Sequence, residues 1–213
     1  MSEKSKNFDM RIVYENFEIA LSKEDDVQLQ NYLESFEELN KFFTLIGTVF
    51  SFVSNDLKAK MDILYELLKD PENGNHFATT KAMIDYELQN DLLNKKDYTS
   101  GARTLLRLHR GLDFIQLFLK KLGDLKDEES TSTACREAYD QTLSKHHTFL
   151  IRNGARIAIY TLPTKEVLLK RVCGGEEDIK QALDMLPRTL EVTSSVFQRI
   201  ENLYSKHKLH ELP

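Results

Sequence analysis

Residues 103–119 read RTLLRLHRGLDFIQLFL, and the interpretation of the whole chain starts from this stretch. At about 100° per residue, one side of an α-helix carries an apolar stripe. It consists of Leu105, Leu108, Leu112, Ile115 and Leu119. The opposite side changes along its length from cationic to apolar side chains. In chain order this side carries Arg103, Arg107, Arg110, Phe114, Leu117 and Phe118. The second half of the stretch is apolar nearly all round, which is typical of a buried helix.

Arginines at the head of a buried face need an anionic partner, because an unpaired buried charge is very costly. A molecule with an anionic head and long apolar chains would match such a face. The alternative is a core helix whose arginines simply reach solvent at its end. This helix alone leaves both interpretations open.

The composition predicts one globular domain over residues 1–213, with residues 1–7 flexible. The chain has 41% hydrophobic residues, enough for a sizeable core, and no linker-like run of Pro, Gly or Ser divides it. Its net charge of −5 argues against nucleic-acid binding, which needs an extended basic surface.

The two cysteines and the polar start of the chain favour a cytosolic protein. Cys135 and Cys173 are far apart and form no C-x-x-C pair, which fits a reducing compartment. The first residues lack the apolar region of a signal peptide. No run approaches the ~20 apolar residues of a membrane span.

Hydrophobic periodicity predicts an all-α protein of about eight helices, within a range of seven to nine. The chain has four prolines and eight glycines, and they leave long uninterrupted periodic segments. One long helix is expected over residues 133–162, with a bend near His146 and His147. Another is expected over residues 177–206, with Pro187 kinking or dividing it. Short connections favour antiparallel neighbours packed in layers.

Asp56 and Lys60 interrupt an apolar row that runs over residues 45–63 if the helix there is continuous, and that row includes Phe52. The simplest interpretation is an i,i+4 ion pair of about 0.2–0.5 kcal/mol. On an apolar face, however, the acid could accept from an amide or hydroxyl, and the lysine could meet a phosphate.

His147 stands on a row with Ile151, Gly154 and Ala158. A single histidine on an apolar face is more often a satisfied core residue than a ligand-binding one. The small residues on that row would admit another helix or a chain-like ligand. His146 is expected to point away from this face.

Enzyme signatures are missing from the sequence. It has no nucleophile elbow, no zinc-protease motif, no P-loop and no dinucleotide fingerprint. No metal-ligand spacing of His, Cys or acidic residues occurs, and nothing calls for a cofactor. We therefore expect a binding protein without catalytic residues.

Three clusters together resemble the glycolipid transfer protein family, in particular its phosphate-binding branch. They are Asp56-x-x-x-Lys60, the run RTLLRLHRGL at residues 103–112, and His147 followed by RIAIYTLPTKE at residues 156–166. The likeness covers residues 8–213. It implies a two-layer helical sandwich that holds ceramide-1-phosphate between its layers and moves it between membranes without catalysis.

The resemblance also implies roles for single residues. Asp56 would accept from the ceramide amide N–H and His147 would meet the amide carbonyl. The head-group positions match Lys60, Arg103 and Arg107, whereas Arg110 matches a basic position outside the head group. The chains would lie in an apolar pocket. Its expected residues are Phe52, Phe114, Leu117, Phe118 and Ile151.

The sequence departs from the family in having no tryptophan. Arg107 stands where the sugar-binding branch has its stacking tryptophan, so a phosphate head group fits better than a sugar. Phe36 and Phe149 stand where tryptophans are expected near the membrane-facing edge.

The resemblance further implies a monomer in the cytosol that associates transiently with Golgi, endosomal, nuclear and plasma membranes. A transfer protein for another sphingolipid, a ligand-free helical scaffold and an enzyme acting on lipid phosphates are the alternatives.

Overall fold

The computed structural model of the protein describes residues 6–213. Within them it has nine α-helices and no β-strand, so the predicted all-α, two-layer architecture is confirmed. The helices are α1 (Met10–Ala20), α2 (Leu29–Ile46), α3 (Ser51–Leu68), α4 (Thr80–Gln89), α5 (Gly101–Asp124), α6 (Thr131–Gln141), α7 (Phe149–Tyr160), α8 (Lys165–Cys173) and α9 (Glu176–His207). None of these helices is both long enough and apolar enough to cross a bilayer.

Helix α5, which contains the 103–119 stretch, lies at the centre of the fold and packs against α3, α4, α6 and α9. Its leucine stripe is buried, as the periodicity predicted. An aromatic cluster joins it to α2, because the Phe42 ring lies 6.3 Å from Phe118 and the Phe43 ring 6.4 Å from Phe114.

The first turn of α5 is held by a buried carboxylate. The Ser100 side chain caps the helix by accepting from the Arg103 amide at 3.1 Å. Behind it Glu87 is fully buried, and its carboxylate accepts from the amides of Gly101 at 2.6 Å and Ala102 at 3.2 Å. The carboxylate thus satisfies two amides that the helix cannot, and lies at the positive end of the helix dipole.

The last turn of α5 is held by a buried ammonium. Lys165, at the start of α8, donates to the carbonyls of Gly123 at 3.1 Å and Leu125 at 2.7 Å. A cation suits the negative end of the dipole, and two carbonyl acceptors replace part of its lost hydration. Helix α5 is therefore fixed at both ends by charged side chains from other elements.

The apolar row expected over residues 45–63 is not one helical face. Helix α2 ends at Gly47, whose φ of 152° is one that other residues rarely adopt. Arg171 caps this end by donating to the carbonyl of Ile46 at 2.6 Å. Asp56 and Lys60 belong to α3, which begins afresh at Ser51.

The single long helix expected over residues 133–162 is wrong. The segment divides into α6, a short 3-10 helix at Leu143–His146, and α7. His147 takes an extended backbone conformation between them, and the Thr148 side chain caps α7 by accepting from Ile151. In contrast, α9 continues through Pro187 without dividing.

Part of the predicted flexible start lies outside the described residues, namely residues 1–5. The carbonyl of Asn7 accepts from the Lys41 ammonium at 3.2 Å. The Phe8 amide donates to the carbonyl of Val172 at 2.9 Å.

We expect Lys165→Met to destabilise the fold, because it leaves the carbonyls of Gly123 and Leu125 at the end of α5 without this donor. Hydrogen bonds to a charged group contribute about 1.5–3 kcal/mol, so the free energy of unfolding should fall by about that amount. Thermal unfolding followed by circular dichroism should show a Tm lower by roughly 3 °C per kcal/mol.

The matched control is Lys170→Met on the same helix. Lys170 is exposed and forms a surface ion pair with Glu166, and such pairs contribute at most about 1 kcal/mol. Equal Tm values for the two variants would show that Lys165 does not hold α5.

Candidate functional site

A cavity of about 630 Å³ opens between α3 and α5 on one side and α6 and α7 on the other. Most of its wall is apolar. The apolar residues include Phe43, Phe50, Leu57, Phe114, Ile115 and Ile159. Such a cavity, large and apolar with a few polar groups, is typical of a small-molecule site.

The polar groups of this cavity include most of those selected from the sequence. Asp56, Lys60, Arg107 and His147 all line it. They come from α3, α5 and the junction before α7, so only the tertiary fold brings them together.

Asp56 and Lys60 form an ion pair on α3, with the lysine ammonium in contact with the carboxylate. Their exposures differ, because the Lys60 side chain is 14% exposed and the Asp56 side chain 65%. The carboxylate is therefore accessible and keeps acceptor capacity for a further donor.

His147 is held by a neighbouring phenol, since its Nδ1 lies 2.9 Å from the Tyr139 hydroxyl. Burial lowers the pKa of His147, Lys60 and Arg152 lower it further, and Asp56 raises it. These causes favour a neutral imidazole at neutral pH. If the phenol donates to Nδ1, the Nε2–H is the donor left for a ligand.

The three arginines of α5 are placed differently. Arg107 is exposed at the cavity, and among the described residues it has no hydrogen-bond or ion-pair partner. Arg110 also lines the cavity and donates to the carbonyl of His210 at 2.6 Å. Arg103 does not line it, because its guanidinium turns back to the carbonyl of Tyr98.

The charges around Arg110 oppose one another. Burial lowers its pKa, Glu211 raises it, and the cation of Arg107 lowers it. Arg110 in turn helps burial to lower the pKa of His146. His146 lines the cavity, so the expectation that it points away is wrong.

Three of the five residues predicted for the pocket of the hydrocarbon chains line the cavity. Phe52, Phe114 and Ile151 line the cavity. Leu117 and Phe118 do not, because Phe118 is buried behind the Phe114 ring, 6.0 Å from it, and Leu117 packs into the core. Apolar periodicity could not separate cavity wall from core.

Sequence reasoning missed most of the other residues that line the cavity, among them Cys135, Tyr139 and Pro213. It also placed Arg110 outside the head-group site, although Arg110 lines the cavity. Cys135 and Tyr139 continue the ordinary core pattern of α6. No local signal places Pro213 near α5, since it reaches the cavity only through the fold.

The outer face of α7 is unusually apolar for a surface. Its large side chains are between 69% and 86% exposed. We call the set Phe149, Leu150, Ile157 and Tyr160 the α7 apolar face. Exposed apolar patches of this kind mark interaction sites. Phe36, expected with Phe149 near such an edge, is fully buried instead, because it packs against Tyr32 in the core.

The comparisons with known proteins place the chain in one family. The model of the family described as "Glycolipid transfer protein (GLTP)" matches residues 27–174. Ceramide-1-phosphate transfer protein of Danio rerio is 38% identical, over 97% of this chain and 98% of its own length. That of Mus musculus is 34% identical over the full length of both.

Two solved structures share the fold. The crystal structure of the apo form of mouse ceramide-1-phosphate transfer protein has a TM-score of 0.90 and 34% identity, over 97% of this chain and all of that one. The human protein in complex with 12:0 ceramide-1-phosphate has a TM-score of 0.86, with the same identity and coverage. The chain therefore belongs to the glycolipid transfer protein family.

Proposed function

We propose that this protein binds ceramide-1-phosphate and moves it between membranes. One observation carries the proposal: Lys60, Arg107 and Arg110 line the same cavity as a wall of aromatic and aliphatic side chains. A phosphate monoester carries a charge of about −1.5 to −2, which suits arginine forks and a lysine ammonium. The apolar wall suits the hydrocarbon chains.

The remaining polar groups fit the ceramide amide. The exposed carboxylate of Asp56 can accept from the amide N–H, and the Nε2–H of a neutral His147 can donate to the amide carbonyl. This pairing uses the neutral form of His147, which burial favours by lowering its pKa. A head-group role for Arg103 is supported only by the family resemblance, because Arg103 does not line the cavity.

A carrier fits the cavity better than an enzyme. Cys135 is the thiol that lines it, and burial raises its pKa to about 12. The thiolate is the nucleophilic form, so this thiol is unreactive at neutral pH. No three His, Cys, Asp or Glu side chains within residues 6–213 are grouped to hold a metal.

The proposal predicts a selective transfer activity. With vesicle-to-vesicle transfer of labelled sphingolipids, we expect transfer of ceramide-1-phosphate and little of glucosylceramide or galactosylceramide. The sugar needs a stacking platform, and the chain has no tryptophan to offer one. Equal rates would favour a carrier of another specificity. An absence of both binding and transfer would favour a scaffold, and phosphate release would reveal an enzyme.

Binding of the phosphate head group should depend on the geometry of the Arg107 guanidinium. We expect Arg107→Leu to weaken binding roughly 10- to 150-fold, since a charge-assisted bond contributes about 1.5–3 kcal/mol. Arg107→Lys should be intermediate, because an ammonium keeps the charge and loses the fork.

Arg136→Leu, which removes an exposed cation from α6 outside the cavity, is the matched control. Vesicle binding without ligand is measured for each variant. If Arg107→Leu loses transfer only in proportion to lost vesicle binding, Arg107 is a docking residue and the head-group assignment fails.

We further propose that the protein is a cytosolic monomer that docks transiently on Golgi, endosomal, nuclear and plasma membranes through the α7 apolar face. Burying exposed Leu150 and Phe149 in a bilayer removes apolar area from water. Ile151, half-exposed on the same helix, also lines the cavity. Docking of this helix would therefore bring the mouth of the cavity to the bilayer. Arg152 and Arg156 add positive charge that favours anionic lipid.

We expect Leu150→Glu to weaken vesicle binding and slow transfer by roughly 10- to 150-fold. The estimate follows from about 1.5–3 kcal/mol for one buried leucine. Binding of the same lipid delivered in micelles should be unchanged, because Leu150 does not line the cavity. Ile19→Glu, at an exposed position on α1, is the control. Equal effects of the two substitutions would contradict docking through α7.

A further inference from the structure

A buried histidine links α5 to α9 beside the head-group end of the cavity. His109, next to Arg110, is 3% exposed and its Nε2 lies 2.8 Å from a Glu201 carboxylate oxygen. Its ring stacks on Phe197 with centroids 4.2 Å apart. The stacking holds the imidazole ring in place, and the contact with this ring positions the Glu201 carboxylate.

The second oxygen of the same carboxylate faces the segment of residues 208–213. The Nε2 of His210 lies 3.4 Å from Glu201 and 3.0 Å from the Ser205 hydroxyl. The segment is also fastened by its backbone, because the Leu209 amide donates to the carbonyl of Tyr204 at 3.0 Å and Leu209 is buried. Glu201 therefore bridges a core histidine and a histidine of the 208–213 segment.

The 208–213 segment in turn reaches the cavity. The carbonyl of His210 accepts from Arg110 at 2.6 Å, and Pro213 lines the cavity directly. Glu211 raises the pKa of both Arg110 and His146, so its negative charge acts on that end of the cavity. A shift of this segment would move the partner of Arg110 and part of the wall together.

We propose that Glu201 is a positioning residue for head-group recognition: by bridging His109 and His210 it holds the 208–213 segment as a wall of the cavity and keeps the guanidinium of Arg110 in place. This inference rests on the proposed function for its ligand. It concerns a residue that does not itself line the cavity and that the sequence motifs do not single out.

The charge state of Glu201 supports the bridge. The hydrogen bond from His109 lowers the carboxyl pKa, burial raises it, and the fields of His109 and His210 lower it further. The carboxylate is therefore ionised at neutral pH, and both oxygens are acceptors. An isosteric amide carries no charge, so Glu201→Gln keeps an acceptor oxygen for His109 and loses the electrostatic contact with His210.

The test uses two lipids with the same chains, ceramide-1-phosphate and ceramide, with binding measured for the full-length protein. We expect Glu201→Gln to weaken phosphate-lipid binding about 10-fold, the cost of one misplaced charge-assisted bond. Ceramide binding should change less than about 2-fold. Glu191→Gln removes the same charge from an exposed position on α9 and should match the wild type with both lipids.

Trypsin cleavage after exposed Lys208 gives a second readout, without lipid. Glu201→Gln should be cleaved several-fold faster than the wild type and Glu191→Gln at the wild-type rate. His210→Ala removes the other end of the bridge while leaving α9 intact. It should also speed cleavage and weaken binding of the phosphate lipid selectively.

Three outcomes would overturn the inference: equal weakening of both lipids, undiminished phosphate-lipid binding, or an unchanged cleavage rate in Glu201→Gln and His210→Ala. Failure of the proposed function is seen separately, in the wild type. A wild-type protein that does not prefer the phosphate lipid would refute both.

Discussion

The structure depends on how α5 is held at its two ends. The buried carboxylate of Glu87 accepts from the first amides of the helix, and the buried ammonium of Lys165 donates to its last carbonyls. Each charge lies at the end of the helix dipole that stabilises it. Each also fills backbone hydrogen bonds that would otherwise be lost in the core. Removing either side chain would leave backbone groups at that end of the helix without their partner.

Fixing α5 fixes the site, because one face of this helix supplies both kinds of surface that an amphiphile requires. Arg107 lies at the polar end of the cavity and Phe114 in its apolar wall. These residues are about 10 Å apart along the axis, at 1.5 Å per residue. A rigid helix therefore sets the distance between head group and chains, and the neighbouring helices complete the wall.

The electrostatics of the site follow from partial burial. The causes acting on His147 favour its neutral form, while Asp56 remains accessible despite its contact with Lys60. Arg110 is turned toward the 208–213 segment, whereas Arg107 has no such partner among the described side chains. The site thus combines one guanidinium held by the protein with one that is available to an anion. Pre-set groups of this kind lower the ordering cost of binding.

The sequence by itself determined the helical class, most of the helix positions and four polar residues that line the cavity, namely Asp56, Lys60, Arg107 and His147. Helical periodicity is local, and charged residues that interrupt apolar rows are visible without a fold. It did not separate Phe114, which lines the cavity, from Phe118 behind it, because both satisfy the same 3.6-residue pattern.

Only the tertiary structure decided which side chains meet. No local sequence pattern marks Glu87 and Lys165 as buried; the packing of α4 and α8 against α5 buries them. The extended backbone at His147 depends on a local cap that competes with the helical pattern of residues 133–162. The contact of His210 with Arg110 spans most of the second half of the chain. The sequence pattern carries no record of such contacts, because they form between elements and depend on how the layers close.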